Sequence, residues 1–321
     1  MWFWLSLITL LCWSGSDLFS KIGCRDADDK LSHLKMVIAV GTVMGLHAAF
    51  EIFVSGTPIS WSVIWTYLPV SLLYIGSMAL GYLGLRYIEL SVSSPICNSS
   101  GALVAVLTLL FVGGDDYSPL ALCAILLVCA GAIGLGVVDA TEDPELRAER
   151  QKDGNYKYAK SFLALALPVA YCLLDAAGTF ADNRVLEILT DRFLAAGMAA
   201  TRKECVDLAA ASANCAYELT FLAAAVVCFI YVVLIRKDKL IPRLEGPKYL
   251  GAICETAGQF AYIYAIADTS HLAMSAPIIA SYCAASVLWS RLFLKEKLSW
   301  KHYAMIGLIV IGIALMGMLD L

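Results

Sequence analysis

Apolar residues run along most of this chain in long stretches, and short polar gaps separate each stretch from the next. Ten stretches are long enough to cross a bilayer, whose hydrocarbon core of about 30 Å needs roughly 20 helical residues. They are Trp2–Ser20, His33–Val54, Tyr67–Ile88, Ser91–Val112, Pro119–Val138, Ser161–Ala181, Asn214–Ile235, Pro247–Ala267, Ser270–Phe293 and Trp300–Leu319. The pattern therefore predicts an all-α membrane protein with ten transmembrane helices.

The composition agrees with this class of protein. The mean hydropathy is +0.76 and 16% of residues are charged, whereas a soluble domain averages about 25% charged residues. The first apolar stretch has no basic leader and is long enough to span, so we interpret it as helix one rather than a cleavable signal. The net charge of −4 gives no indication of a nucleic-acid partner.

The basic residues predict the orientation of the chain. Nineteen of the 23 Lys and Arg residues lie in alternate gaps, counted from the first gap. The other gaps and both tails hold only Arg184, Arg192, Arg202 and Lys203, all in one long insert. Basic residues stay on the cytoplasmic side of a membrane. We therefore expect a multi-pass protein of the bacterial inner or plasma membrane, with both termini outside the cytoplasm.

Two halves of the chain share a weak pattern. Phe111 follows Pro95 by sixteen residues, and Phe293 follows Pro277 by the same interval. Trp13-Ser-Gly-Ser-Asp17 likewise aligns with Tyr171-Cys-Leu-Leu-Asp175. Five spans per half is an odd number, so the halves are predicted to have opposite orientations. Inverted repeats of this kind are typical of secondary transporters.

The pattern divides the chain as follows. Residues 1–140 form the first five-helix repeat, 141–160 a cytoplasmic linker, and 161–321 the second repeat. Within the second repeat, 182–213 is an extracytoplasmic insert with apolar residues at helical spacing and a break at Gly197. This insert predicts a helical hairpin or a pair of short helices on the outer surface. Cys205 and Cys215 would face an oxidising compartment, so a disulfide tying the insert to helix seven is one option.

The second half resembles a known family. The residues from Ser275 through Pro277, Tyr282, Arg291 and Glu296 to Trp300, followed by Gly307 and Gly312, are similar to the carboxyl-terminal signature of the drug/metabolite transporter superfamily, EamA type. The resemblance implies ten helices in an inverted repeat around a central cavity lined by helices 1, 3, 4, 6, 8 and 9. The first half departs from it, with Gly114-Asp115-Asp116 where the family often has Gly-Glu.

Ionisable residues inside the spans are costly in lipid and indicate function. Glu255 has no basic residue one turn away on its helix, and it lies seven residues inside Lys248. Asp175 lies in helix six, and Asp17 mirrors it in helix one. Lys21, four residues beyond Asp17, is an alternative partner for that acid. His47, Glu51 and Glu218 lie near the outer boundary, where solvated interface charge is the simpler interpretation.

Aromatic and amide side chains accompany these acids. Rings attract cations, and the Pro95 break exposes polar backbone suited to a cavity. The predicted substrate-binding residues are Glu255, Asp175, Trp13, Asp17, Tyr74, Asn98, Tyr171, Gln259, Tyr262 and Tyr282. We expect no cofactor, no metal and no nucleic acid. The expected partners are a small-molecule substrate, membrane lipid and, for coupling, protons, with the protein acting as a monomer or homodimer.

The sequence-based hypothesis is a secondary active transporter of a small polar organic solute bearing an amine or quaternary ammonium group. Alternating access would carry the solute, and Glu255 would bind either its cationic group or a coupling proton. One alternative is a proton-coupled exporter of amino acids or neutral metabolites. A membrane enzyme, such as an acyl- or lipid-transferase, or a sensor is the alternative from another class. No histidine stands beside a convincing Ser or Cys nucleophile, so we do not expect an enzyme.

Overall fold

The computed structural model describes residues 1–26, 28–111, 117–141 and 163–319. Every regular element in these ranges is a helix. Asp115 and Asp116, where the family resemblance departs, lie outside the described residues, as does most of the predicted linker.

Six α-helices build the first half. They are α1 (Trp2–Cys24), α2 (Ser32–Phe50, continued by a π-helical turn Glu51–Ser55), α3 (Trp61–Tyr87), α4 (Leu90–Asn98), α5 (Ser100–Phe111) and α6 (Pro119–Ala140). The second half follows the same order with α7 (Leu163–Ala195), α8 (Arg202–Phe229, continued by a π-helical turn Ile230–Ile235), α9 (Pro242–Ile266), α10 (Leu272–Ala280), α11 (Tyr282–Phe293) and α12 (Trp300–Leu319). Both second helices thus end in a π-helical turn.

The described chain contains seven helical segments that are long and apolar enough to cross a membrane, together with the shorter apolar stretch Trp300–Met316. The two remaining long helices, α7 and α9, carry the acids at positions 175 and 255. The all-α multi-pass membrane fold predicted from the sequence is confirmed.

The fourth predicted span of each half is a broken helix. In each case a nine-residue helix, one serine and a twelve-residue helix follow one another. The serine is Ser99 in the first half and Ser281 in the second, four residues after Pro95 and Pro277 respectively. Proline lacks the N–H that would continue the helical ladder, which weakens the helix at that point. The two halves therefore share a helix of the same length, broken at the same place.

Pairs of helices from opposite halves show that the repeat is inverted. On α1 and α9, Thr9 contacts Gly258 and Gly23 contacts Lys248, so these helices are antiparallel. The equivalent helices α7 and α3 are also antiparallel, because Tyr171 lies against Gly81 and Asp182 against Tyr67. The ends of α1 and α3 lie together, since Lys21 donates to the carbonyls of Leu85 and Ile88. Equivalent helices of the two halves therefore run in opposite directions.

Two further pairs join the halves through close glycine contacts. On α2, a Cβ built on Gly41 would stand 2.5 Å from the Cβ of Ala225 on α8. On α6, a Cβ on Gly131 would stand 2.6 Å from Cγ1 of Ile309 on α12. Small residues of this kind let membrane helices approach closely.

The insert between the sixth and seventh spans is a helical hairpin made by extension of α7 and α8. The 33 residues of α7 reach about 50 Å, well beyond a core of about 30 Å. The turn contains Gly197 at φ 65°, and α8 begins with a capping box between Thr201 and Glu204. Asp182, at the predicted start of the insert, is fully buried in the bundle.

The disulfide between Cys205 and Cys215, which the sequence left as one option, is contradicted by the structure. Cys205 and Cys215 are both free and buried, and both lie on the continuous helix α8. Ten helical residues separate two Cα atoms by about 15 Å, whereas a disulfide needs less than about 7 Å.

Candidate functional site

A large cavity lies among the described helices, where the two halves meet. Its empty space, together with the solvent open to it, is about 940 Å³. Residues of α1, α3, the broken helices α4–α5 and α10–α11, α7 and α9 line it, and α8 adds Tyr217. These are the six spans implied by the family resemblance, with one residue from a seventh.

All ten residues predicted to bind substrate lie on the wall of this cavity. They are Glu255, Asp175, Trp13, Asp17, Tyr74, Asn98, Tyr171, Gln259, Tyr262 and Tyr282. The tertiary structure thus brings together residues that stand up to 269 positions apart in the chain. Their role in binding remains a prediction.

Asp17 is held by serines from both halves. Ser94 of α4 donates its hydroxyl to the Asp17 carboxylate at 2.6 Å, and Ser286 of α11 donates at 2.8 Å. Lys21, the alternative partner, donates instead to main-chain carbonyls at the end of α3. These contacts tie helix α1 to the broken helices on either side.

Asp175, the counterpart of Asp17, has a different partner. Ser100 of α5 donates its hydroxyl to the Asp175 carboxylate at 2.7 Å. Counting from the two prolines, the position equivalent to Ser100 is Tyr282, and those equivalent to Ser94 and Ser286 are Ala276 and Val104. The backbone repeat is therefore symmetric while the polar side chains around the two acids are not.

Glu255 is the acid without a counterpart. Trp13 of α1 packs over Gly258, and its counterpart Tyr171 of α7 packs over Gly81, so the two glycines occupy equivalent positions. Glu255 lies three residues before Gly258 and therefore corresponds to Met78, three residues before Gly81. The Trp13 indole donates to the Glu255 carbonyl at 3.3 Å, and Ser16 lies close enough to hydrogen-bond with the carboxylate. Glu255 thus faces the cavity beside an indole ring.

The wall combines rings with negative charge. The Trp13 ring centroid lies 5.1 Å from that of Tyr262 and 5.8 Å from that of Tyr282. Among the described lining residues are three carboxylic acids, Asp17, Asp175 and Glu255, and no Lys, Arg or His. Such a surface attracts cations through both charge and cation–π contact.

Three buried donors on the described wall have no protein partner, and one of them is the Ser20 hydroxyl. The other two lie on α3 and α9. The Tyr82 hydroxyl and the Gln259 side-chain nitrogen make no hydrogen bond in the structure, and their residues are 6% and 3% exposed. A buried polar group without a partner costs about 1–3 kcal/mol. Both groups face the cavity, where water or a bound molecule can satisfy them.

Hydroxyl groups from both halves meet on the cavity wall. The oxygens of Tyr74 on α3 and Tyr262 on α9 are 2.5 Å apart, and each lies 3.2 Å from the Thr179 hydroxyl of α7. The Tyr74 oxygen also lies 3.3 Å from the Asp182 carboxylate, to which Tyr67 donates at 2.6 Å. Asp182 itself is outside the cavity wall.

Charged groups lie at the end of the bundle where α1 ends. We call this end the basic face, and we call the opposite end, where α1 begins, the terminal face. Asp29, in the loop after α1, binds Lys35 at 2.8 Å and Lys248 at 2.9 Å. Burial opposes ionisation of Asp29, but its hydrogen bonds to these two lysines prevail and lower its pKa. The cluster joins the two halves, since Lys248 belongs to α9.

Glu218 is not solvated interface charge, so that expectation is wrong for this residue. It is fully buried on α8, where His47 of α2 lies 2.9 Å from its carboxylate. Asn214 donates to the same group at 3.0 Å. The pair joins the two halves on the side nearer the terminal face.

Sequence reasoning missed part of this polar framework. Ser94, Ser100 and Ser286 were not predicted as partners of the acids, although Ser94 directly precedes Pro95. Asp182 was assigned to the insert. Its spacing from Asp175 and Thr179, at seven and three residues, already placed all three on one helical face.

Comparisons with known proteins agree with this fold. Residues 193–318 match the model of the EamA-like transporter family. One solved structure, described only as the crystal structure of a protein, matches with a TM-score of 0.59 at 14% identity, over 98% of this chain and 96% of that one. Such a likeness shows the fold alone, and the sequence matches no curated protein. The carboxyl-terminal region of this multi-pass membrane protein is thus similar to the EamA-like transporter family.

Proposed function

We propose that the protein is a secondary active transporter of small organic cations with an amine or quaternary ammonium group. The observation that carries this proposal is the charge of the cavity wall, whose described residues include three acids and no basic side chain. Removing a cation from water is costly unless an opposite charge compensates it. The aromatic rings beside Glu255 favour a solute that also has apolar surface.

Alternating access between the inverted halves is the proposed mechanism. The cavity lies where the halves meet, and the helices around it pair across that boundary. Rocking of one set of helices against the other would expose Glu255, Asp17 and Asp175 to each side in turn. In this proposal Glu255 contacts the cationic group of the solute.

We place the protein in the cell membrane, with the basic face in the cytoplasm and both termini outside. Basic residues at positions 21, 25, 35 and 248 lie toward the basic face in the structure, which supports this orientation by the positive-inside rule. The proposed partners are the solute, membrane lipid and protons. We propose neither a cofactor nor catalysis, and a monomer or homodimer as the working unit.

A transport assay tests the proposal. Purified protein in proteoliposomes should exchange labelled N-methyl-4-phenylpyridinium, an aromatic cation, faster than protein-free vesicles do. Glu255→Gln should abolish this exchange because it removes the charge while keeping the shape. Glu187→Gln, which neutralises an acid paired with Arg184 on the outer hairpin, is the matched control and should behave as wild type. Full exchange by Glu255→Gln would overturn the proposed role.

A proton-coupled exporter of amino acids or neutral metabolites is the second candidate. The Gln259 and Tyr82 donors, which have no partner on the wall, favour it because they could bind a carbonyl or carboxylate oxygen. In that case Glu255 carries only a proton, and neutral solutes should compete with the labelled cation as well as other cations do. An enzyme or sensor would show no solute exchange at all.

A further inference from the structure

We propose that Asp182 is the proton-binding site for coupled transport and that the hydroxyls of Tyr74 and Tyr262 connect it with the cavity. This inference rests on the proposed transport function and separates two roles. Glu255 contacts the solute, and Asp182, behind the wall, takes up the proton.

Burial sets Asp182 apart from the other acids of α7. Its residue is 0% exposed, and it is not among the residues that line the cavity. A carboxyl in this position cannot reach a solute directly. Any exchange of its proton with the cavity must pass through neighbouring groups.

The structure provides a continuous path of hydroxyls for that exchange. Tyr262 lines the cavity, its oxygen lies 2.5 Å from that of Tyr74, and Tyr74 lies 3.3 Å from Asp182. A proton arriving at the Tyr262 oxygen displaces the Tyr262 proton to Tyr74, and the Tyr74 proton moves to the Asp182 carboxylate. Each tyrosine ends with one proton, so the net result is one proton transferred from the cavity to Asp182.

Protonation of Asp182 would reverse the hydrogen bonds along this path. When Asp182 is ionised, Tyr74 donates to it and Tyr262 donates to Tyr74, so the Tyr262 oxygen turns lone pairs toward the cavity. When Asp182 is protonated, it donates to Tyr74, Tyr74 donates to Tyr262, and Tyr262 turns its proton toward the cavity. The first arrangement favours a cation on the wall and the second disfavours it, which links solute binding to the proton.

The groups around Asp182 are neutral, so the protonation state of Asp182 depends on proton exchange along this path. Those that face it are Tyr67 and Tyr74 of α3, Tyr262 of α9, and Thr179 of its own helix; Tyr217 of α8 is next to Tyr67. Asp175 is two turns away on α7. Within the described residues no Lys, Arg or His forms an ion pair with Asp182.

Tyr67 offers a matched control. It donates to the same carboxylate as Tyr74, but it does not line the cavity and has no hydroxyl contact with Tyr262. Tyr67→Phe therefore removes one hydrogen bond to Asp182 without breaking the path, whereas Tyr74→Phe breaks it.

The test uses proteoliposomes with the membrane potential clamped at zero and N-methyl-4-phenylpyridinium as the probe. A gradient of one pH unit should let a one-to-one proton exchanger accumulate the probe about tenfold. We expect Asp182→Asn to exchange the probe at equal pH on both sides but to lose this accumulation. Tyr74 also lines the cavity, so Tyr74→Phe is judged by its accumulation relative to its own exchange at equal pH, and this ratio should fall to that of Asp182→Asn. Tyr67→Phe should still accumulate it. If Asp182→Asn does not fold, the comparison of Tyr74→Phe with Tyr67→Phe decides.

Each outcome points to one proposal. Accumulation by Asp182→Asn, equal losses in Tyr67→Phe and Tyr74→Phe, or exchange without accumulation in the wild type would overturn the role of Asp182 and leave the transport proposal intact. No exchange by the wild type, or full exchange by Glu255→Gln, would instead overturn the proposed function.

Discussion

Asp29 and Lys248 form an ion pair of 2.9 Å between side chains that are 1% and 0% exposed. Asp29 belongs to the first half and Lys248 to the second, so the pair joins the halves at the basic face. Lys35 completes the cluster at 2.8 Å from the same carboxylate. A transporter that opens at this face must separate these charges.

Asp29→Asn should therefore lower stability strongly. The change leaves two buried lysines without their shared counter-ion, and removing one partner of a buried pair typically costs about 3–5 kcal/mol. Thermal unfolding in detergent would measure this. Asp28→Asn, one residue earlier and exposed, is the control, and an equal effect there would contradict the role of the cluster.

The same cluster predicts a pH dependence. Because the folded pKa of Asp29 is lowered, its contribution is fully present above the unfolded pKa of about 3.9. That contribution is lost as the pH falls through the folded pKa. The difference in unfolding temperature between wild type and Asp29→Asn should shrink as the pH is reduced below about 4. A difference that stays constant down to the lowest pH that the fold tolerates would be inconsistent with this account.

Gly131 and Gly307 should respond oppositely to substitution although they lie on partner helices. A Cβ at Gly131 would stand 2.9 Å from the Met305 carbonyl oxygen, which is backbone and cannot turn aside. Gly131→Ala should cost about 1–3 kcal/mol through overpacking. Gly307 has nothing within 4 Å of such a Cβ, so Gly307→Ala should be neutral or stabilise by up to about 1 kcal/mol through helix propensity. Unfolding temperatures of the two variants decide.

Tyr82→Phe should separate stability from binding. The Tyr82 hydroxyl has no protein partner, so its removal should leave stability unchanged or raise it by up to about 1 kcal/mol. If the hydroxyl contacts the solute, the concentration of probe cation that gives half-maximal exchange should rise. Tyr217→Phe, which removes a contact with the Met78 sulfur at 3.2 Å, controls for the loss of any buried phenol. Lower stability without a change in binding would show that Tyr82 is structural.

Much of the fold was predictable because lipid restricts the choice of structure. A chain in hydrocarbon must satisfy its backbone internally, so apolar stretches of span length become helices. The spacing from Pro95 to Phe111, repeated from Pro277 to Phe293, indicated the repeat before any contact was known. The helix lengths were harder to predict, because α7 and α8 continue beyond the lipid, where hydropathy no longer marks the helix.

The sequence by itself indicated an all-helical membrane-spanning chain and the ten residues that share the cavity, because hydrophobic length and the cost of acids in lipid act on each helix separately. Only the tertiary structure decided the partners of those residues. Asp17 with Ser286, Tyr74 with Tyr262, Asp29 with Lys248 and His47 with Glu218 all pair across the two halves. Such contacts depend on how the helices are rotated and packed, and spacing along one helix carries no information about the helix from the other half that it will face.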